Sequence, residues 1–209
     1  ALAPFIMATG LFIGVLIFTL EFPSNKYLEQ TATKRQLLAH EFKIALLISV
    51  LMAAVQNVVL MLMGLQVQNV EQLFMISVIY TVAQMAIMQF FTLVLGRFGT
   101  ILGLLLFVAQ LGGAGGMFPM EVTNRFFNLI HPLLPMTYGI NGLRQAITGG
   151  FGTAYLQSSL WILVGYGVVF YLLVLVVADR GQLRFKLHQV PETDAQKVKF
   201  GTQRDSKLV

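Results

Sequence analysis

Five stretches without a charged side chain run along this sequence, at Ala1–Leu20, Ile44–Leu65, Leu73–Gly96, Phe98–Met120 and Gln145–Ala178. Each is long enough to cross a bilayer, because a spanning helix needs about 20 mostly apolar residues at 1.5 Å per residue. In lipid only a helix or a closed barrel satisfies its own backbone polar groups, and barrel strands would be shorter and alternating. The chain is therefore expected to be an all-α membrane protein. Composition agrees: a chain with 56% hydrophobic and 11% charged residues carries more apolar surface than one aqueous core could hide. The sequence holds no cysteine, so neither a disulfide framework nor thiolate chemistry is available.

The formal net charge of +5 is informative only through its placement. Five crossings put residues 21–43, the turn at Arg97 and the tail from Asp179 on one side. That side holds Lys26, Lys34, Arg35, Lys43, Arg97, Arg180, Arg184, Lys186, Lys197, Lys199, Arg204 and Lys207, which are 12 of the 14 Lys and Arg. The other side has Arg125 and Arg144. This asymmetry marks the basic side as cytoplasmic, with Ala1 external and Val209 internal. The basic excess reads as topology, and no nucleic-acid partner is expected, since the tail interleaves only Phe185 and Phe200 among its cations. The start carries neither a basic flank nor a signal-peptide pattern. Ala1 is accordingly read as an internal position, with a further span and an external part upstream.

The expected domain covers residues 1–178, with spans near 3–20, 44–65, 73–95, 99–117 and 158–178. A cytoplasmic amphipathic helix is expected over 24–42, capped by Ser24 and carrying Lys26, Glu29, Lys34, Arg35 and Glu41 on its polar face. It would lie at the headgroups or dock a partner through Lys34 and Arg35. Residues 179–209 form a basic cytoplasmic tail. The fourth span is expected to dissolve at Gly112, Gly113, Gly115 and Gly116. Residues 118–152 are too apolar for an open loop and too broken by Pro132 and Pro135 to span, so two short re-entrant helices, near 122–130 and 138–148, are expected in the outer leaflet.

No Asp, Glu, Lys, Arg or His falls inside a proposed span, which argues against a proton-coupled transporter or a voltage sensor. Gln56, Asn57, Gln84, Gln89 and Gln110 are the polar residues at depth; they either bond between helices or line a path for an amphiphile. Gly10 and Gly14 have the small-xxx-small spacing of a close helix contact. Glu121, Arg125, His131 and Arg144 are the external groups from which an enzyme would have to be built. No serine nucleophile, metal-site spacing or phosphate loop accompanies them, so neither catalysis nor a cofactor or metal is expected.

The run GGAGGMFPMEVTNRFFNLIHPLLPMTYGINGLRQAITGG, residues 112–150, resembles the external re-entrant region of ABC-2 type membrane proteins. The matching positions are Phe118 and Pro119 in the turn, Phe126 and Phe127 in the hydrophobic helix, Pro132 and Pro135 at the corner, and Leu143 and Arg144 before the last span. The chain is most similar to the YhgE/Pip group, the phage infection proteins of Gram-positive bacteria, whose relatives include EsaA-type accessory proteins of type VII secretion. This resemblance covers essentially all 209 residues. It implies the C-terminal five spans of a six-span protein with a large external domain between the first span and the rest. It also implies a multi-pass protein of the plasma membrane that forms a homodimer. Two functions follow from it: an anchor for an external domain used in type VII secretion and by phage tail proteins, or the permease of an exporter driven by a separate ATPase.

Overall fold

A computed structural model describes residues 2–21, 34–116, 123–150 and 152–188, with the backbone alone at 34–41, 97 and 178–188. Every regular element among them is helical: α1 (Ala3–Glu21), α2 (Lys34–Leu62), α3 (Val70–Leu95), α4 (Arg97–Gly113), α5 (Arg125–Ile130), a 3-10 turn (His131–Leu133), α6 (Pro135–Thr148) and α7 (Thr153–His188). The fold is thus an all-α membrane bundle. Four helices have stretches long and apolar enough to cross a bilayer, at Ala3–Glu21, Phe42–Leu62, Val70–Leu95 and Thr153–Val177, while α4 offers the shorter apolar piece Phe98–Gly113.

Local chemistry sets the boundaries. Gly64, at φ +96°, ends α2 in a Schellman arrangement: its N–H donates to the Met61 carbonyl and that of Leu65 to the Leu60 carbonyl, both at 3.0 Å. The Asn69 side chain then caps α3 by accepting from the Gln72 N–H at 3.0 Å, with Glu71 in the favourable first turn. Gly96, at φ +57°, turns α3 into α4 within one residue.

The helix expected over 24–42 is placed differently. Residues 24–33 lie outside the described set, and from Lys34 onward the backbone is already α2, continuous with the span. No glycine or proline stands between Lys34 and Gly64, so nothing interrupts the hydrogen-bond ladder where a separate surface helix was expected to end. The last span also outruns its expected limits, starting at Thr153 and continuing to His188. Arg, Gln, Leu and Lys after Asp179 are good helix formers, and the lone Gly181 costs only about 1 kcal/mol, too little to end a helix already nucleated upstream. Residues 189–209 of the expected tail lie outside the described set. The fourth span stops at Gly113 rather than near 117.

α3 is the central pillar, packed against α1, α2, α4, α6 and α7. Its buried Leu73, Ile76 and Tyr80 meet Phe5, Met7 and Leu11 of α1 and Met136, Ile140 and Leu143 of α6. A second cluster lies nearer the basic side, where Phe12, Val15 and Leu16 of α1 meet Met85 and Met88 of α3, and the Phe12 ring stacks on Phe107 of α4 with centroids 5.1 Å apart. The outward faces of α2 and α7, including Leu47, Leu51, Trp161 and Val169, are exposed and apolar, as a lipid solvent requires.

Candidate functional site

The region expected to be re-entrant closes the sparsely charged end of the bundle. Asn124 caps α5, accepting from the Phe126 N–H, and Pro135 opens α6 at its first turn, where a missing N–H costs nothing. The two prolines thus frame a corner rather than a break: Pro132 sits in the 3-10 turn and Pro135 is buried at the start of α6. Two tyrosines fasten this corner. The Tyr138 hydroxyl donates to the Pro132 carbonyl at 2.7 Å, and the Tyr166 hydroxyl of α7 donates to the Leu133 carbonyl at 2.9 Å.

α6 lies directly on α3 because two glycines on one of its faces leave room. A side chain at Gly139 would run into the Tyr80 ring, and one at Gly142 into Ile76. The far end of α6 is held by backbone: the Gln68 and Asn69 N–H groups donate to the Ile147 and Ala146 carbonyls at 3.2 and 3.0 Å. Those carbonyls belong to the last turn, which has no partners of its own in a helix. Leu143 is fully buried in the core, and Arg144 beside it is half-buried.

His131 joins this layer to α4. Its Nδ1 lies within hydrogen-bond distance of the Gly113 carbonyl and, as the protonated tautomer, donates to it, closing the last turn of α4. The Thr137 hydroxyl donates to the His131 carbonyl at 2.8 Å. Gly112 and Gly113 lie beneath the Phe127 ring, so the glycine run both ends α4 and admits the hydrophobic helix that follows. Of the four groups from which a catalytic site would have to be built, His131 is therefore a cap and Arg125 is exposed at the start of α5. Glu121 lies outside the described residues, as do Phe118 and Pro119 of the expected turn motif.

Within the bundle, four of the five deep amides bond between helices. Gln56 Nε2 donates to the Met7 carbonyl at 3.0 Å, Ser77 Oγ donates to Asn57 Oδ1 at 3.2 Å, and Gln84 Nε2 donates to Gln110 Oε1 at 2.9 Å. The Tyr80 hydroxyl adds a bond to the Ala8 carbonyl at 3.2 Å. Ser77, Tyr80, Thr81 and Gln84 follow helical spacing along α3, so one face of the pillar is a polar seam joining α1, α2 and α4. Its hydroxyls are further satisfied on their own helix, Ser77 by the Leu73 carbonyl and Thr81 by the Ser77 carbonyl, both at 2.7 Å. Gly10 and Gly14 lie against α2, where added side chains would meet Gln56 and Met52. Lys34 and Arg35 are the first two residues of α2.

On the opposite face of α3 is an open apolar groove of about 280 Å³ between α2 and α7. Nothing in the sequence singled it out. Its only legible signal is the pairing of small residues, Ala83 and Ala86 on α3 with Gly167 on α7, which needs the tertiary pairing before it means a slot.

Over 170 residues, 80% of its length, the chain is 32% identical to the uncharacterized protein YhgE of Bacillus subtilis (strain 168). This chain is a relative of YhgE. It spans 22% of that protein's length. The relationship carries the YhgE part of the resemblance read from residues 112–150 and says nothing of ABC-2 permeases or EsaA-type proteins. No family model matches the chain, and no solved structure matches it.

Proposed function

We propose that this chain is a non-enzymatic membrane domain that anchors and dimerises a large extracellular domain, serving type VII secretion and exploited by phage as a receptor. The observation that carries this reading is the relationship to YhgE, joined to a bundle tied helix to helix at depth. Gln56 joins α2 to α1, Asn57 joins α2 to α3 and Gln84 joins α3 to α4, and no Asp, Glu, Lys, Arg or His lies among them, while Asn57 Nδ2, Gln84 Oε1 and Gln110 Nε2 have no hydrogen-bond partner. Such cross-bonding supports a rigid anchor, and the uncharged spans offer an ion-coupled conduit no ionisable relay. The relative's greater length leaves room for the external domain, and the distribution of Lys and Arg supports an external N-terminal end and a cytoplasmic C-terminal end in the plasma membrane. Deleting the gene should depress phage adsorption or secretion of small type VII substrates, with restoration by the full-length protein. Wild-type behaviour in both assays would sink the proposal.

A second reading, the permease of an exporter driven by a separate ATPase, is favoured by one feature. α2 runs unbroken from Lys34 into the bilayer, so a force applied at Lys34 and Arg35 would be transmitted to the span. Under this reading Lys34→Glu with Arg35→Glu uncouples a co-purifying ATPase, seen as loss of its stimulated ATP hydrolysis while the membrane domain stays folded. Unchanged stimulation argues against docking at that helix end.

A further inference from the structure

The groove between α2, α3 and α7 has the attributes of a site for one lipid tail. Its floor joins the small Ala83 and Ala86 of α3 and Gly167 of α7 to the branched Val78, Ile79 and Val82 of α3, and its walls are apolar side chains of α2 and α7. A Cβ added at Gly167 would meet the Ala83 Cα at 3.9 Å, an ordinary van der Waals distance, so a side chain can be added there without a clash. From Leu163 to Tyr171 it extends about 12 Å along α7, from mid-helix toward the basic side. Tyr171 supplies the one polar side-chain atom of the lining, at that end, where its ring lies 4.3 Å from that of Phe42. A dry slot facing hydrocarbon loses dispersion contacts if empty, and water has no partners along its length.

Charge selects the headgroup. Lys43 is exposed next to Phe42 at the groove's end. The helices that form the two walls both continue past that end into basic sequence, α2 backward to Lys34 and Arg35, α7 forward to Arg180, Arg184 and Lys186. Only Glu41 and Asp179 oppose them on these two segments. A tail in the groove thus places its phosphate in a field of positive charge.

We infer that the α2–α3–α7 groove binds the acyl chain of an anionic phospholipid whose phosphate is held beside Lys43 and Tyr171. The site is independent of whether the domain anchors or exports. The test uses full-length protein reconstituted in vesicles of equal parts phosphatidylcholine and phosphatidylglycerol, then native mass spectrometry of gently extracted protein. Wild type should retain one phosphatidylglycerol per protomer, favoured over phosphatidylcholine by about five-fold, the worth of roughly one basic residue at a headgroup. Gly167→Leu and, one turn earlier, Val164→Phe fill the slot and should abolish retention of either lipid. Lys43→Glu, a surface change, should keep a lipid but bring the preference to near unity. Undiminished retention in a folded slot-filling variant, or an undiminished preference in Lys43→Glu, overturns the proposal. So does a wild-type lipid count accompanied by loss of a dimer in the slot-filling variants, which would assign the groove to a second copy of the chain.

Discussion

Gly99→Ala should leave little folded protein in the membrane. The α3–α4 hairpin turns at Gly96, and Gly99 follows one turn into α4, its N–H donating to the Gly96 carbonyl at 3.0 Å. A Cβ at Gly99 would collide with the Phe91 carbonyl and lie 2.7 Å from the Thr92 nitrogen. Both obstacles are backbone of α3, and α3 is fixed on every other side by α1, α2, α6 and α7. Relief therefore requires the two helices to separate, at a cost of about 3 kcal/mol or more, a large part of the roughly 5–15 kcal/mol that holds a domain together. Gly165→Ala, in the middle of α7 with nothing within 4 Å of the added carbon, is the control and should be neutral or slightly stabilising. Yield of monodisperse protein after detergent extraction and the midpoint of thermal unfolding report the difference. Equal midpoints for the two variants would show that the hairpin is not packed as described.

The second large effect concerns the Gln84–Gln110 pair. Both side chains are 0% exposed, and each is the other's partner across the α3–α4 interface. Gln84→Met keeps length and removes the donor, leaving the Gln110 amide buried without its bond; a loss of about 1–2 kcal/mol is expected. Gln110→Met should cost the same. The double variant removes both polar groups and should recover most of the loss, so the unfolding cycle yields a coupling of about 0.6–1.7 kcal/mol. Additive losses would mean the two amides act separately. The double variant also discriminates between functions, because a pair that seals an interface can be replaced by two methionines without functional loss, whereas a pair lining an amphiphile's path cannot.

Legibility differed sharply between levels. The apolar helices could be read because lipid imposes a minimum length and excludes charge, a constraint each stretch meets by itself. The glycine run from Gly112 was legible as the end of the fourth span, though the helix stops at Gly113 and not near 117, and limits were missed where helix simply continued, as at Phe42 and Asp179. A pair of short helices between α4 and α7 was recognisable from Pro132, Pro135 and the broken apolar run. Gly10 and Gly14 carry a recognisable spacing, whereas Gly139 and Gly142, three residues apart, say nothing until Tyr80 and Ile76 are placed opposite. The role of His131 as a helix cap was not legible, since its partner, the Gly113 carbonyl, is a main-chain group 18 residues away that carries no sequence signature.

The sequence by itself determined that this chain is a helical membrane bundle, roughly where its helices run, and which stretches between them carry its cations. Those properties are sums over single segments, each tested against lipid one at a time. Only the tertiary structure decided that Gln84 and Gln110 face one another, that α6 seats on α3 through two glycines, and that α2 and α7 stand apart over Ala83 and Ala86 to leave a groove. These are properties of pairs of helices, fixed by which faces meet and how closely, and in lipid the choice of faces is made by packing and hydrogen bonding rather than by hydrophobicity, which is alike on every side.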